Sequence, residues 1–308
     1  MPSGFSSSLP RLASCAAALL LAAALLAASG ATVKARAGDA VALFTQLVKP
    51  ALLPGELTWR SAVATGQHSL VLNDVVLSSP SALPVRLPLH IARVTIDDID
   101  FDGLRRGDAP WALRARLEGI AVGPAALMLP IAVNEALGPG PYRANLTIDY
   151  KVRAGRVLRI DNLVLDIPGL ARLQLSAELG GLAANGGRLK GASVNTLTLR
   201  SGRLVYDDRS LLAKVVAGTA RGQNASEKLI IAEWSTLLGI TALKEGTGAL
   251  PLLDVLLTFL KDFQAPKGPL RITFTAPPEA PGGLPIAAAL TTGIMHALGP
   301  NASYAGVK

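Results

Sequence analysis

The sequence contains one cysteine and few aromatic residues, and both scarcities limit what the chain can do. Cys15 lies in an apolar segment near the N-terminus, so the remainder can form no disulfide, cysteine metal site or thiol nucleophile. Cys15 also precedes most of that segment, whereas lipoprotein processing needs the cysteine after it, so lipidation is not predicted. Aromatic residues make up only 4% of the chain, although 50% of its residues are hydrophobic. The predicted core is therefore built mainly from Ala, Leu and Val.

Motifs for catalysis or nucleotide binding are also missing. The sequence has no Gly-x-Ser-x-Gly elbow, no phosphate-binding glycine loop and no dinucleotide fingerprint after a strand. His68, His90 and His296 lie far apart and lack the i, i+4 spacing of a metal-binding helix. We therefore predict no catalytic residue, no metal and no cofactor, and we expect a protein that is not an enzyme.

Local clusters of like charge in the sequence are small, and they are acidic. Within Thr95–Asp102 lie four aspartates, and on a straight strand Asp98, Asp100 and Asp102 would share a face that could bind calcium. The glycine and the ligand spacing of a calcium loop are absent, so we interpret the group as a solvated strand face or edge. The Asp207-Asp208 pair precedes a helical pattern and is predicted to cap that helix.

The positive charge is mild and dispersed. The formal net charge is +8, and Arg11, Lys34 and Arg36 contribute 3 of it, which leaves +5 for the rest. The cations occur singly rather than in runs, so no nucleic-acid patch is predicted. A solvated surface with weak affinity for anionic lipid headgroups is expected instead.

The clearest positive feature is the N-terminal segment. Arg11 precedes an apolar run from Leu12 to Ala28, and a small-x-small triplet, Ala35–Ala37, follows it. This layout predicts a signal peptide over residues 1–37 and a periplasmic protein. The stretch from Leu12 to Ala31 is also about 20 residues long, the length of a membrane helix. An uncleaved inner-membrane anchor that faces the periplasm therefore remains the alternative.

A period of two predicts antiparallel strands between residues 57 and 206. Apolar and polar residues alternate in the ranges 113–118, 145–152, 172–179 and 196–200. Such alternation places one strand face in a core and the other in water. Glycines at Ala154-Gly155, Asn185–Gly187 and Ser201-Gly202 predict tight turns between the strands.

Helical periodicity flanks the strand region. Asp39 is predicted to cap a short helix that Pro50 ends, and further helices are predicted over 207–265. A returning strand over 269–276 and a weak helix over 284–298 follow. Because the returning strand has to pair with the earlier sheet, residues 38–308 are predicted to form a single β-rich domain. The predicted fold is α+β, mainly β: a curved antiparallel meander sheet with C-terminal amphipathic helices packed on one face and one returning strand.

The strongest amphipathic helix, Leu250–Phe263, supplies the candidate site. Its apolar stripe either seals the sheet or, together with the apolar strand residues, lines a groove for an acyl chain, which needs apolar volume and few polar contacts. The candidate apolar lining consists of Leu146, Ile148, Leu173, Leu175, Leu253, Leu256, Leu257, Leu260 and Phe263.

Several segments resemble those of AsmA-like and YdgA-like bacterial periplasmic proteins. The resemblance rests on Leu57-Thr58-Trp59-Arg60, on the strand modules Leu70–Leu77 and Val94–Leu104, and on the stretch Leu204–Leu211 that leads into a helix. It implies an envelope protein with a long β-sheet groove, connected with lipid handling or outer-membrane upkeep.

These observations lead to a functional prediction with one alternative. We expect a non-enzymatic secreted envelope protein that binds a lipid or another apolar partner between sheet and helices, with membrane association and without nucleic acid. The alternative is an envelope scaffold that binds a protein partner, of a kind the sequence does not specify, through an exposed sheet edge.

Overall fold

The computed structural model describes a large part of the chain. The described residues are 39–49, 57–77, 89–106, 110–122, 130–138, 140–153, 157–182, 184–185, 188–189, 197–245, 250–277, 280, 282–285 and 300–305. The predicted leader over 1–37, and residues 286–298 of the predicted C-terminal helix, lie outside this part. Residues 284–285 of that predicted helix belong to a strand instead.

Strands dominate the described chain. The strands are β1 (Leu57–Ala64), β2 (Leu70–Leu77), β3 (Leu89–Ile99), β4 (Ala112–Val122), β5 (Tyr142–Arg153), β6 (Val157–Ile167), β7 (Ala171–Gly180), β8 (Ala184–Asn185), β9 (Arg188–Leu189), β10 (Thr198–Asp208), β11 (Leu270–Thr275), β12 (Leu284–Pro285) and β13 (Asn301–Ser303).

Six α-helices are found among the described residues. They are α1 (Ala40–Leu43), which continues as a π-helical turn over Phe44–Val48, α2 (Phe101–Arg105), α3 (Ile131–Leu137), α4 (Leu211–Gly222), α5 (Glu227–Glu245) and α6 (Leu250–Lys261). In this part of the chain no helix combines the length and the apolar character needed to cross a membrane.

The strands form one open antiparallel sheet. Its eleven strands run in the order β1-β2-β3-β4-β5-β6-β7-β10-β11-β13, with β12 paired beside β10, while β8 and β9 form a separate hairpin. β11 returns after the helices and pairs with β10, as predicted, and β13 extends the sheet beyond β11. The predicted fold class, a mainly β meander sheet with C-terminal helices, is confirmed.

The turn predicted at Ser201-Gly202 is wrong, because β10 runs through both residues. The register of β10 against β7 shifts between Leu199 and Ser201, which marks a bulge. Gly202 is opposite Phe274, whose ring lies so close that a Cβ on Gly202 would be 1.9 Å from the ring carbon Cζ. This glycine therefore permits a close approach within the sheet rather than a chain reversal.

The largest buried cluster lies at the N-terminal end of the sheet. It joins inward side chains of β1 to β6 to the helical segment 40–48 and to α2. Asp39 caps α1 as predicted, since its Oδ1 accepts a hydrogen bond of 2.8 Å from the backbone N–H of Ala42. The Phe44 ring meets the Trp59 ring edge-to-face. The N-terminal segment, rather than the C-terminal helices, therefore seals the main core.

The C-terminal helices pack at the other end of the sheet. The inner side of α6, Leu252, Val255 and Phe259, lies against β11 and β13 in a second buried cluster. α4 and α5 form a third cluster around Val216 and Ile230. The helices thus cover the sheet at β10, β11 and β13.

α2 and α3 interrupt the region predicted to contain only strands. α3 packs against α4 at Gly218, where an added Cβ would lie 2.6 Å from the Cα of Val133. The close approach of these two backbones depends on the missing side chain.

Candidate functional site

One face of the sheet, which we call the inner face, carries an apolar row from β5 to β11. Cross-strand partners in an antiparallel sheet lie on the same face. The row consists of the successive partners Ile148, Leu163, Leu175, Leu204 and Ile272. A neighbouring row joins Leu146, Leu165, Leu173, Tyr206 and Leu270. The inner face is therefore continuously apolar from β5 to β11.

The middle of this face is not fully covered. We define the central strip as Leu165, Leu173, Leu175 and Leu204, which are all half-buried. Among the described residues, none of the four belongs to a buried cluster. On one side Leu163 packs onto the main core, and on the other Tyr206 and Ile272 pack onto the α6 cluster. Within the described part of the chain, the strip is thus a partly exposed apolar surface between two covered regions.

The strand residues of the predicted apolar lining lie partly in the main core and partly in the central strip. Leu146 and Ile148 are only 1% and 2% exposed, and they belong to the main core. Leu173 and Leu175 lie in the central strip. The sequence analysis missed Leu165 and Leu204, because they lie in the apolar runs Leu163–Leu165 and Leu204–Tyr206, where Val164 and Val205 obscure the alternation.

The helix residues of the predicted apolar lining also lie in different places. Leu253, Leu257 and Leu260 of α6 are half-buried, whereas the fully buried side of the helix is Leu252, Val255 and Phe259. Leu256 packs against the cluster of that buried side, and Phe263 belongs to the α4–α5 cluster. The nine predicted lining residues therefore do not meet in one groove.

The opposite face of the sheet is polar and rich in ion pairs. Asp161 contacts both Lys151, at 3.0 Å, and Arg159. Arg159 also lies 3.6 Å from Glu178 on the next strand. The hydrogen bond from Lys151 is the main cause of a lowered pKa at Asp161, and Arg159 acts in the same direction. This face presents alternating charges to the solvent.

A shallow groove of about 430 Å³ crosses this polar face. Its polar lining comes from four neighbouring strands: Arg159, Asp161, Ser176, Glu178, Ser201, Arg203, Thr273 and Thr275. Hydroxyl groups and paired charges suit water or a polar molecule better than an acyl chain. The apolar strip and this groove therefore lie on opposite sides of the sheet.

The acidic group at Thr95–Asp102 is not on one strand, because β3 ends at Ile99 and α2 begins at Phe101. Asp100 caps α2 through Oδ1, which accepts a 2.8 Å hydrogen bond from the Gly103 N–H. Its Oδ2 accepts from the Trp111 N–H at 3.1 Å. In the described ranges no three His, Cys, Asp or Glu side chains converge as metal ligands. Asp100 therefore stabilises the chain reversal between β3 and β4.

Asp208 is the one fully buried charged side chain among the described residues, at 5% exposure. Its Oδ1 accepts hydrogen bonds from the Tyr206 hydroxyl at 2.7 Å and from the Leu212 N–H at 3.0 Å. The predicted capping role is thereby confirmed for Asp208, which accepts from the first turn of α4 although Ser210 is the N-cap residue, whereas Asp207 faces Arg209. Burial raises the pKa of this carboxyl, although both hydrogen bonds oppose the shift.

The raised pKa leads to a stability prediction for Asp208. The folded protein holds the Asp208 proton more tightly than the unfolded chain, so ionisation costs stability once the pH exceeds about 4. Asp208→Asn keeps an acceptor oxygen but has no carboxyl group to ionise. The free energy of unfolding of this variant, relative to that of wild type, should therefore increase from pH 3 to pH 7. Asp208→Ala should lose about 1–2 kcal/mol because Leu212 and Tyr206 lose their acceptor. Urea unfolding at several pH values measures both effects.

Asp207→Asn is the neighbouring-carboxylate control, since the Asp207 charge is only a minor cause of the raised Asp208 pKa. The Asp207 carboxylate is half-exposed and lies 3.7 Å from the Arg209 guanidinium. Asp207→Asn should change stability by less than about 0.5 kcal/mol at every pH. A wild-type advantage over Asp208→Asn that grows with pH would contradict the prediction.

Comparison with known proteins identifies a family whose pattern matches part of the chain. A family described as "uncharacterized protein" matches residues 164–303 of the chain. No curated protein matches the sequence. The matched range covers 140 of the 308 residues, from β6 to β13. It includes the central strip and helices α4 to α6, and it leaves out β1 to β5.

Proposed function

We propose that this protein is a non-enzymatic envelope protein that binds a lipid or another elongated apolar ligand on its central strip. The observation that carries the proposal is the group of four half-buried leucines on the apolar face that lie outside the buried clusters of the described residues. Exposed contiguous apolar surface on a folded protein is characteristic of a binding surface. The N-terminal leader pattern supports an exported protein, with an inner-membrane anchor as the alternative location.

The composition of the strip fits the aliphatic part of a lipid. Leu165 and Leu173 are cross-strand partners, and so are Leu175 and Leu204. The strip therefore spans β6, β7 and β10, about 10 Å across the strands. Its side chains are all leucine, which offers apolar contact without polar groups, as an acyl chain requires.

Leu175→Asn/Leu204→Asn tests this proposal. Mass spectrometry of organic extracts should detect lipid bound to the purified full chain, and a fluorescently labelled C16 fatty acid should bind after lipid is removed. The double variant should lose both signals, because two cross-strand partners at the centre of the strip become polar. Val205→Asn is the matched control, since Val205 is also half-buried but faces Gln174 and Arg271 on the polar side.

The outcome distinguishes binding on the strip from other binding. Wild-type protein that contains no lipid and fails to bind the fatty acid would overturn the proposal. Equal binding by wild type, the double variant and Val205→Asn would also overturn it, because the ligand would then lie elsewhere. Circular dichroism of each variant verifies that the fold is retained.

A second candidate function rests on the sheet edge. β1 is the first strand of the open sheet, and its Val63 is 56% exposed. An extended segment of a protein partner could add to such an edge as a further strand. Cross-linking in cells from position 63 should then capture a partner, whereas capture from the central strip should not.

A further inference from the structure

A second hollow, of about 370 Å³, adjoins the shallow groove on the polar face of the sheet. The two hollows share Arg203 of β10 and Thr273 of β11, which are cross-strand partners. The polar residues that line the second hollow come from three neighbouring strands, and they are Arg203, Arg271, Thr273, Asn301 and Ser303. We call this set the arginine hollow. Pro251 and Ala302 complete its wall.

The register of the sheet brings the two arginines of the hollow together. Thr273 is the partner of Arg203 on β10 and of Asn301 on β13. Arg271 is the partner of Ser303, and it shares a face with Thr273 because the two are separated by two positions on one strand. Arg203 and Arg271 are therefore diagonal neighbours, with Cα atoms about 7–8 Å apart. Two cationic side chains thus reach the same hollow.

Neither arginine has a counter-charge within the described part of the chain. Both side chains are exposed, and neither forms an ion pair or a side-chain hydrogen bond with a described residue. Glu178 is the diagonal neighbour of Arg203, but it already lies 3.6 Å from a guanidinium on β6. Asp207 is the diagonal neighbour of Arg271, and it lies 3.7 Å from the Arg209 guanidinium. The hollow therefore presents two positive charges that the surrounding carboxylates do not neutralise.

We propose that the arginine hollow binds a phosphate monoester group, either as free phosphate or as the headgroup of a lipid. Such a group carries a charge of about −1.5 to −2 at pH 7, which complements the two arginines. Guanidinium groups bind phosphate oxygens in a bidentate manner and stay charged at every physiological pH.

The remaining polar residues suit a ligand with several oxygens. The Thr273 hydroxyl donates only a long hydrogen bond of 3.3 Å, to the Asn301 carbonyl, so a phosphate oxygen could replace that acceptor. The Ser303 hydroxyl and the Asn301 side-chain amide can also donate. A carboxylate offers two oxygens, whereas a phosphate monoester offers three terminal oxygens to donors from three strands. The donor set therefore favours a phosphate monoester over an acidic side chain.

The arginine hollow and the central strip lie on opposite faces of the sheet. Arg203 directly precedes Leu204 in β10, and successive side chains of a strand point to opposite faces. This inference therefore goes beyond the binding of an apolar ligand on the strip and does not rest on it.

Phosphorus-31 NMR of inorganic phosphate in the presence of the full chain tests the proposal. Wild-type protein should broaden the phosphate signal at constant ionic strength. Arg203→Gln/Arg271→Gln should weaken the apparent affinity about tenfold or more, because charged donors are lost while side-chain length is nearly kept. Phosphate should also raise the unfolding temperature of wild type above its value in chloride of equal ionic strength, and it should not do so for the double variant.

Vesicles distinguish a lipid headgroup from a free phosphate. Phosphatidylcholine vesicles carry either phosphatidic acid, a monoester, or phosphatidylglycerol, a diester, at equal total charge. If a headgroup is bound, wild type should prefer the phosphatidic acid vesicles and the double variant should show no preference. If only free phosphate is bound, the NMR signal should respond without a vesicle preference. The leader is identical in both proteins, so its own membrane binding does not alter this comparison.

Arg172→Gln is the matched control. Arg172 is an exposed cation on the same face of the sheet, lines neither hollow, and has Asp166 and Asp207 as cross-strand partners. Its substitution removes the same charge and should leave phosphate binding unchanged. Leu175→Asn/Leu204→Asn should also retain phosphate binding, which separates this proposal from binding on the central strip.

Three outcomes would overturn the proposal. The first is that wild type responds neither to inorganic phosphate nor to phosphatidic acid. The second is an equal response of wild type and Arg203→Gln/Arg271→Gln. The third is an equal loss of binding in Arg172→Gln, because the overall surface charge would then explain the binding. Circular dichroism verifies that each variant retains the fold.

Discussion

Phe259→Ala is expected to lower the free energy of unfolding by about 3–5 kcal/mol. Phe259 is 5% exposed and fixes α6 to the sheet through two aromatic neighbours. Its ring meets Tyr206 of β10 edge-to-face at 5.8 Å and Tyr304, just beyond β13, at 5.1 Å. Truncation removes both ring contacts and leaves a cavity at the centre of the α6 cluster.

Urea unfolding, followed by circular dichroism, measures this effect. Leu257→Ala on the same helix is the control, because Leu257 is half-buried and lies outside the buried clusters of the described residues. Its expected cost is below about 2 kcal/mol. Equal effects of the two substitutions would contradict the packing of α6 described here.

Hydrogen exchange adds a spatial readout to the Phe259→Ala experiment. The α6 cluster and the main core share no buried residue. Loss of Phe259 should therefore increase exchange first in α6 and β11, while β3 to β5 stay protected. Simultaneous loss of protection in all of these elements would show that the two ends of the sheet unfold as one cooperative unit.

The strands were predictable because their signal is local. Alternation over 145–152 and 172–179 corresponds to β5 and β7, since every second side chain of a half-buried strand faces the core. The return of β11 was predictable for a related reason: an alternating strand after three helices needs a partner, and β10 offers its free edge. Asp39 and Asp208 were identified as caps by their positions before helical patterns.

Features that depend on contacts distant in sequence were not predictable. Ser201-Gly202 has the composition of a turn, and only the position of Phe274 across the sheet explains the glycine. Gly218 occurs inside α4 without any local signal, because its requirement comes from the backbone of α3. The helix α3 was not predicted from the sequence, because its seven residues are too few for a clear helical period.

The candidate site shows the same limit. In the sequence Leu146 and Leu173 are equivalent, because each is an apolar residue in an alternating strand. The structure places Leu146 in the main core and Leu173 on the central strip. Which part of a sheet is covered depends on where distant helices pack, and alternation carries no information about that.

Ile148→Ala and Leu175→Ala should therefore differ strongly, although they are analogous substitutions on one apolar row. Ile148 is 2% exposed in the main core, so its truncation should cost about 2–5 kcal/mol through lost burial and a residual cavity. Leu175 is half-buried, and solvent can fill the space its side chain leaves. Its truncation should cost less than about 2 kcal/mol.

Urea unfolding of the lipid-free protein measures the two values, and their order tests the accessibility of the strip. If Leu175→Ala is as destabilising as Ile148→Ala, the strip is part of a closed core and cannot receive a ligand. If Leu175→Ala is mild without ligand but lowers the stability gained on adding fatty acid, the leucine contributes to ligand binding rather than to folding, since a ligand stabilises only the state it binds.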